Sequence, residues 1–509
     1  MSESKPIEDD QDKAHEENHT PPVSIDNIGQ KTVTNALWAY LSFFLGKGLT
    51  FVTTLVLARL LDVDEFGLMG FALVGIQYLD IFSRFGLDTA LISRRDRVEE
   101  AANTIFIMSL ITGTLLFGVA YVSAPFLADF FDADITSLFR LLSVVLLITS
   151  FSIVHAALLQ RELRFRSKLI PDMGKSIVKG GTSIILASSG AGVWSLVWGQ
   201  IAGELFILVA LWILIPWRPS LRFNLAVSKD VTRFGLNMIV VGIIGALRSN
   251  VDYIFVGRIL GAAALGLYTI AYRLPELIIR SLNLVVGTVA HPVLSLIQTD
   301  SEQVQSFYIS YLRYISLLTL PIGVGLAVVS EPLVLTFYTD KWEATIIPLQ
   351  YIALGLAISS TGFVPGVLYK ALNRPDILSR ISFLKLPILL TVLWYSTRFG
   401  INGVAFAQML LAVFYLTVDM IVVNRVFSIS MIATFEALAP AVISVTIMGG
   451  AVLILGRLIN LSNVLELLVL IPFGAILYVT TLYFVHRKTL LETLDMVKLL
   501  TLNRRKRYA

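Results

Sequence analysis

The chain has 509 residues, of which 56% are hydrophobic and only 15% charged, with a mean hydropathy of +0.77. A soluble domain carries about 25% charged residues to face water, so this composition belongs in lipid. The absence of Cys excludes disulfides, thiol nucleophiles and cysteine-ligated metals. A net charge of +4 invites a nucleic-acid partner, but the basic residues are placed for another purpose and no nucleic acid is expected.

Residues 1–30 are acidic, contain Pro and lack an apolar core, so they read as a disordered cytoplasmic tail rather than a signal peptide. Apolar stretches of 18 to 27 residues then recur near 35–61, 66–92, 101–125, 138–160, 169–189, 193–215, 233–257, 264–290, 307–329, 346–371, 380–397, 402–424, 434–456 and 463–485. At about 1.5 Å rise per residue each is long enough for a hydrocarbon core of about 30 Å. Barrel strands would be about 10 residues long and alternating, so the fold expected is all-α, with about 14 transmembrane helices.

The loops alternate in charge. Arg94, Arg95 and Arg97, then Arg161, Arg164, Arg166 and Lys168, then Arg218, Arg222, Lys229 and Arg233, then Arg374, Arg380 and Arg425, and a tail ending Arg504, Arg505, Lys506, Arg507 fall on one side. The other side holds single cations: Arg59, Arg140, Arg258, Lys341, Arg398 and Arg457. Lys and Arg stay cytoplasmic, which predicts a multi-pass protein of a cytoplasmic membrane with both termini inside. The basic tail reads as an anchor touching anionic membrane lipid.

Residue 59 laid over residue 258 aligns Ala58-Arg59-Leu60-Leu61 … Phe66-Gly67-Leu68-Met69 with Gly257-Arg258-Ile259-Leu260 … Leu265-Gly266-Leu267-Tyr268 without a gap, at an offset of 199. A looser echo joins Gln160-Arg161-Glu162-Leu163-Arg164-Phe165 to Lys370-Ala371-Leu372-Asn373-Arg374-Pro375. A repeat of six spans predicts two six-helix bundles around a central cavity, as transporters use, plus two C-terminal helices. The expected divisions are a tail 1–30, bundles 31–218 and 219–426, two extra helices 427–486 and a basic tail 487–509.

Charges inside the spans carry the functional reading. Lys47 lies in span one; Asp80, Arg84 and Asp88 share one stripe of span two; Lys175 and Lys179 lie in span five and Glu204 in span six. Span seven holds Arg248 and Asp252 at i, i+4, and span eight holds Arg273, Glu276 and Arg280 on one face. At about 2.5–3.5 kcal/mol per charge at a helix centre, a dozen facing lipid would cost several times a usual stability of about 5–15 kcal/mol. Pairing of Asp80 with Arg84 and of Arg248 with Asp252 would neutralise some of them. The excess of cations predicts a wet cationic cavity, and Arg suits phosphate or pyrophosphate oxygens. Asp80, Asp88, Glu204, Asp252 and Glu276 are the candidates for gating or for coupling to a proton or sodium gradient. His155 and His291, at the inner ends of spans four and eight, read as packing residues rather than proton relays. Gly242, Gly245, Pro275, Pro321, Gly323 and Gly325 are candidate bending points.

Several segments resemble a known family. They are Ala36-Leu37-Trp38-Ala39-Tyr40, Leu57-Ala58-Arg59-Leu60-Leu61 with Glu65-Phe66-Gly67-Leu68, Phe85-Gly86-Leu87 and Ile92-Ser93-Arg94-Arg95. Gln160-Arg161-Glu162-Leu163-Arg164-Phe165, Gly257-Arg258-Ile259-Leu260-Gly261 and Asp340-Lys341-Trp342 with Ile347-Pro348-Leu349-Gln350 complete the set. In this order they resemble the Wzx-type polysaccharide and O-antigen flippases of the multidrug/oligosaccharidyl-lipid/polysaccharide exporter superfamily, above all the colanic-acid exporter group. The resemblance implies an inner-membrane flippase carrying an undecaprenyl-pyrophosphate-linked oligosaccharide to the periplasmic leaflet by alternating access. It further implies pyrophosphate contacts from cavity cations, which fits Lys47, Arg84, Arg248, Arg273 and Arg280, with Lys175 and Lys179 secondary. A polymerase and a chain-length regulator are the implied partners, and no bound cofactor is expected.

Other functions fit less well. A glycan polymerase or ligase needs a large outer loop, and the longest here spans about 330–345, so the chain is not expected to be an enzyme. Asp62-Val63-Asp64 and Asp132-Ala133-Asp134 read as polar turns, and Gly174-Lys175-Ser176 lacks the first Gly of a phosphate-binding loop because position 169 is Leu. A multidrug or cation exporter of the same fold is the alternative, disfavoured by the cation excess.

Overall fold

In a computed structural model of the protein, residues 45–505 are described apart from 85, 95, 163–164, 284–289, 291–292, 295 and 373. The acidic head, the Ala36–Tyr40 segment, Phe85, Arg95, His291, Lys506, Arg507, and Leu163, Arg164 and Asn373 of the second echo lie outside them. Every regular element among the described residues is helical, as backbone in lipid requires when each N–H and C=O must find its partner within the segment.

The long helices are α1 (45–60), α2 (Val63–Arg84), α3 (Val98–Phe131), α4 (Val144–Arg161), α5 (Phe165–Ser188) and α6 (Val193–Leu214). Leu225–Pro275 runs on as one helical segment except at Gly261, whose φ of 88° and ψ of −177° turn the chain. In a straight helix Asp252 and Tyr268, 16 residues apart, would be separated by about 24 Å. Instead the Tyr268 hydroxyl donates to Asp252 at 2.9 Å, so the segment is a hairpin of α7 (225–260) and α8 (262–275). After Pro275 the backbone widens into a π turn, Glu276–Arg280, where Pro withholds an N–H from the helical ladder. Helices α9 (Ser301–Val328), α10 (Ile346–Thr361), α11 (Pro375–Ser396), α12 (Gly400–Phe427), α13 (Met431–Leu458) and α14 (Asn463–Arg505) follow, the last kinked at His486.

Ten stretches of the described residues are long and apolar enough to cross a bilayer. Two of them, Gly242–Asn283 and Asp376–Phe427, are hairpins of two spans each. With α1, and with α5, which carries Lys168, Asp172, Lys175 and Lys179, the described residues are compatible with the fourteen passes expected. Gly242 and Gly245 lie within α7, whose backbone dihedrals stay helical up to Gly261.

The helices pack as two six-helix bundles around a central cavity. In the first, α5 lies along α6, and α4 packs on both α3 and α6; in the second, α10 packs on α9, α12 and α7, and α11 on α12. Helices α13 and α14 flank the second bundle, pinned by Tyr478, whose hydroxyl donates to the Leu317 carbonyl at 2.9 Å. The bundles meet chiefly along α2 and the α7–α8 hairpin, and there the internal repeat becomes a physical contact. A methyl group built on Gly67 would lie 1.9 Å from the Ala262 oxygen, and one on Gly266 would lie 2.1 Å from the Val63 oxygen. These are equivalent contacts at the offset of 199, so the two copies cross about a pseudo-twofold axis, and only glycine permits the approach.

Candidate functional site

The end of the molecule bearing the cation-poor loops is sealed around this crossing. Trp342 is fully buried; its indole N–H donates to the Ala58 carbonyl at 2.8 Å and its ring meets Phe66 edge-on at 5.3 Å. The Lys341 ammonium donates to the Leu61 and Arg59 carbonyls at 2.5 and 3.3 Å. In return the Arg59 guanidinium donates to the Thr336 and Phe337 carbonyls at 3.0 and 3.3 Å. Such bonds to carbonyls at helix ends use groups that have no intrahelical partner. At the opposite, cation-rich end, the side chains of Arg84 and Arg280 are 58% and 61% exposed.

Between the two ends, ten of the twelve span charges line three compartments, and Lys47 and Glu276 line none of these. One, of about 240 Å³ within the first bundle, is lined by Asp80, Arg84, Asp88, Lys168, Asp172, Lys175 and Glu204. Arg84 is held by Asp80 at 2.8 Å, as their i, i+4 spacing predicts, and Asp88 accepts the Thr89 N–H at 2.7 Å. Lys175 reaches across to buried Glu204 at 2.6 Å. Gln200 extends this chain, donating to Glu204 at 3.0 Å while accepting from the Lys179 ammonium at 2.5 Å.

A smaller compartment of about 90 Å³ lies just inside the seal, where Lys179 from α5 and Arg273 from α8 face each other's bundle among the hydroxyls of Thr50, Thr54, Ser176 and Thr269. Among the described residues neither cation has a carboxylate within 4.0 Å. Arg273 Nε and Thr269 Oγ1 are buried without a hydrogen-bond partner.

The largest compartment, about 520 Å³ in the second bundle, is lined by Arg248, Asp252, Arg280, Asn283, Lys385, Gln408 and Asp419. The expected Arg248–Asp252 pair does not form. The chain reversal at Gly261 brings α8 alongside α7, and buried Asp252 accepts instead from Tyr268, Tyr272 and Gln408 at 2.9, 3.3 and 3.0 Å, leaving Arg248 exposed. Arg280 is held by Glu276 at 2.6 Å. Lys47 lies exposed on α1.

The sequence reading expected these charges to share one chamber, whereas Asp80, Arg84, Asp88, Lys175 and Glu204 line one compartment, Lys179 and Arg273 a second, and Arg248, Asp252 and Arg280 a third. It also missed an ion pair: Lys385 and Asp419, 2.7 Å apart with both side chains 12% exposed. These two sit singly on different helices, so no i, i+4 spacing marked them; the available signal was one charge in the middle of an apolar run. His155 is fully buried, stacked on Trp212 at 4.6 Å with Nε2 3.2 Å from the Trp217 carbonyl, a packing role. Gly174-Lys175-Ser176 falls within α5, not in a loop that could cradle phosphate. No group of three or more metal-ligating side chains occurs among the described residues.

Two six-helix bundles sealed over charged compartments at one end define a polytopic membrane transporter fold. Residues 56–347 match the model of the family described as polysaccharide biosynthesis protein, and the chain belongs to that family. Its relatives include the lipopolysaccharide biosynthesis protein WzxC of Escherichia coli (strain K12), 28% identical over 69% of this chain and 72% of the relative. The teichuronic acid biosynthesis protein TuaB of Bacillus subtilis (strain 168) is 24% identical over 64% of this chain and 68% of the relative. Among solved structures, the lipid II flippase MurJ in an inward closed conformation shares the fold with a TM-score of 0.69 and 16% identity, over 89% of this chain and 99% of that one. A multidrug-resistance MATE family transporter fits better in its inward-facing conformation, with a TM-score of 0.63 over 77% of this chain and 98% of that one, than in its outward-facing conformation, at 0.52 over 77% and 95%.

Proposed function

We propose that the protein is a flippase carrying an undecaprenyl-diphosphate-linked oligosaccharide from the cytoplasmic to the periplasmic leaflet of a bacterial inner membrane by alternating access, for exopolysaccharide, capsule or O-antigen synthesis. Family membership and relatives named for lipopolysaccharide and teichuronic acid synthesis support the substrate class. The observation that carries the reading is the compartment between the bundles, where, among the described residues, Lys179 and Arg273 stand without a carboxylate partner. A diphosphate supplies the acceptor that Arg273 Nε lacks and the negative charge that Lys179, bonded only to the neutral Gln200 amide, is without, and Arg offers it paired hydrogen bonds. Binding there bridges residues 31–218 and 219–426, so substrate would couple the two bundles. The cation-rich end would be cytoplasmic with both termini, leaving the site open to the leaflet where the substrate is assembled.

In this mechanism Arg84, Arg248 and Arg280 guide the diphosphate inward, with Lys47 and Lys175 nearby, and Arg273 and Lys179 receive it. Rocking of the bundles then opens the seal, the lipid tail remaining in the bilayer. Asp80, Asp88, Glu204, Asp252 and Glu276 are proposed for gating or for proton or sodium coupling. A polymerase and a chain-length regulator would consume the product. The test is deletion followed by complementation: loss of the chain should make a lipid-linked glycan accumulate on the cytoplasmic face. Arg273→Gln should fail to restore export at normal protein levels, with about a tenfold or greater loss in rate, the scale of a charged hydrogen bond. Full export by Arg273→Gln and Lys179→Gln together would reject the site.

A further inference from the structure

The small compartment and the 520 Å³ compartment have opposite chemistry. In the small one, Lys179 and Arg273 can only donate hydrogen bonds, and the buried unpaired atoms are Arg273 Nε and Thr269 Oγ1. The Thr50, Thr54 and Ser176 hydroxyls already donate to helix carbonyls at 2.9, 2.8 and 3.1 Å. That site asks for a ligand of acceptors, which is what a diphosphate is.

The 520 Å³ compartment asks for something else. Asn283 donates through Nδ2 to the Ser360 hydroxyl at 3.0 Å, yet its Oδ1 is buried with no donor. At Asn283 itself phosphate oxygen has no hydrogen bond to offer, whatever Arg248 and Arg280 do for a diphosphate passing them, and an apolar tail would leave the acceptor unpaired at a cost of about 1–3 kcal/mol. A cationic amine could satisfy it but would face Arg248 and Arg280, which line the same walls. The carboxylates there are already engaged, Asp252 by three neutral donors and Asp419 by Lys385. A neutral ligand that both donates and accepts fits these walls, and its size range is that of organic ligand pockets, about 300–1,000 Å³.

Resting on the flippase reading, we infer that this compartment of the second bundle seats the saccharide, with Asn283 reading a sugar hydroxyl and the wall at Ser359 limiting the sugar's size, while the small compartment holds the diphosphate. Ser359 lines the compartment and is exposed to it, so its enlargement fills the space without entering the core.

The test compares two kinds of probe on the full chain in nanodiscs: undecaprenyl diphosphate, and the same lipid bearing one glucose, galactose or N-acetylglucosamine. Wild-type protein should bind at least one glycosylated lipid about fivefold or more tightly than the bare carrier, the scale of one added hydrogen bond. Ser359→Trp should bring that ratio to about one, Asn283→Leu should lower it about threefold or more, and Arg273→Gln should weaken both lipids alike. A wild-type ratio of one for all three sugars, or a ratio unmoved in both Ser359→Trp and Asn283→Leu, overturns the saccharide seat. Failure of bare undecaprenyl diphosphate to bind wild-type protein overturns the flippase reading as well, so the two failures are told apart.

Discussion

Gly67 and Gly266 act through what their missing side chains allow. Both are helical, so neither is there for an unusual φ; each admits a carbonyl of the other bundle to a distance that no Cβ tolerates. Gly67→Ala should therefore wedge the sealed end apart and populate the state open at that end. The chain contains no Cys, so Thr269→Cys, just beneath the seal, is a unique thiol. Its labelling by an impermeant maleimide from the cation-poor side should rise about fivefold or more in the Gly67→Ala background, a shift of about 1 kcal/mol; unchanged labelling would show that the contact does not hold the gate. At this scale the sequence was partly legible. The offset of 199 found the matched glycines, and i, i+4 spacing found Asp80–Arg84, but the same spacing misread Arg248–Asp252. Spacing along one helix says nothing about competing donors on the next, and Tyr268, Tyr272 and Gln408 won Asp252.

The helical hairpins decide which buried charges find partners. Helices α11 and α12 turn through Thr397–Phe399, which brings Lys385 against Asp419 and lets the Tyr415 hydroxyl donate to the Lys385 carbonyl at 3.1 Å. Removing one member leaves the other buried and uncompensated, so Lys385→Met should cost about 3–5 kcal/mol, while adding Asp419→Leu should recover most of it. Thermal melts in detergent check both; a double variant as unstable as the single would assign the loss to packing instead. The loop after α9 makes a second case. Trp342→Ala removes a fully buried ring and its bond to Ala58, and should lower stability by about 3–5 kcal/mol while raising access to Thr269→Cys. Spans were readable because the hydropathy of each is local; the Lys385–Asp419 pair was not, because it depends on how two helices are brought together.

For the molecule as a whole, hydropathy and loop charge sufficed to anticipate an all-α fold of about fourteen passes, and the internal repeat its two bundles, since lipid leaves helices few alternatives. Division of the cavity into three compartments was not legible, because it depends on which cations are consumed by pairing across helices. Charge movement gives the prediction at this scale. With the interior negative, outward passage of the diphosphate gains about 2.3 kcal/mol per charge per 100 mV. Dissipating the potential in proteoliposomes should slow glycan flipping, and an unchanged rate would exclude this driving force.

The pairing of Gly67 with Ala262 and of Gly266 with Val63 makes each repeat both notch and ridge for the other. The ridge is backbone in both cases, the Ala262 and Val63 carbonyls, so no side-chain change at 262 or 63 makes room for a Cβ at 67 or 266, and only separation of the two copies does. Since both contacts straddle one axis, the halves cannot part on one side first. The latch releases as a unit, because one contact is made twice about the same axis.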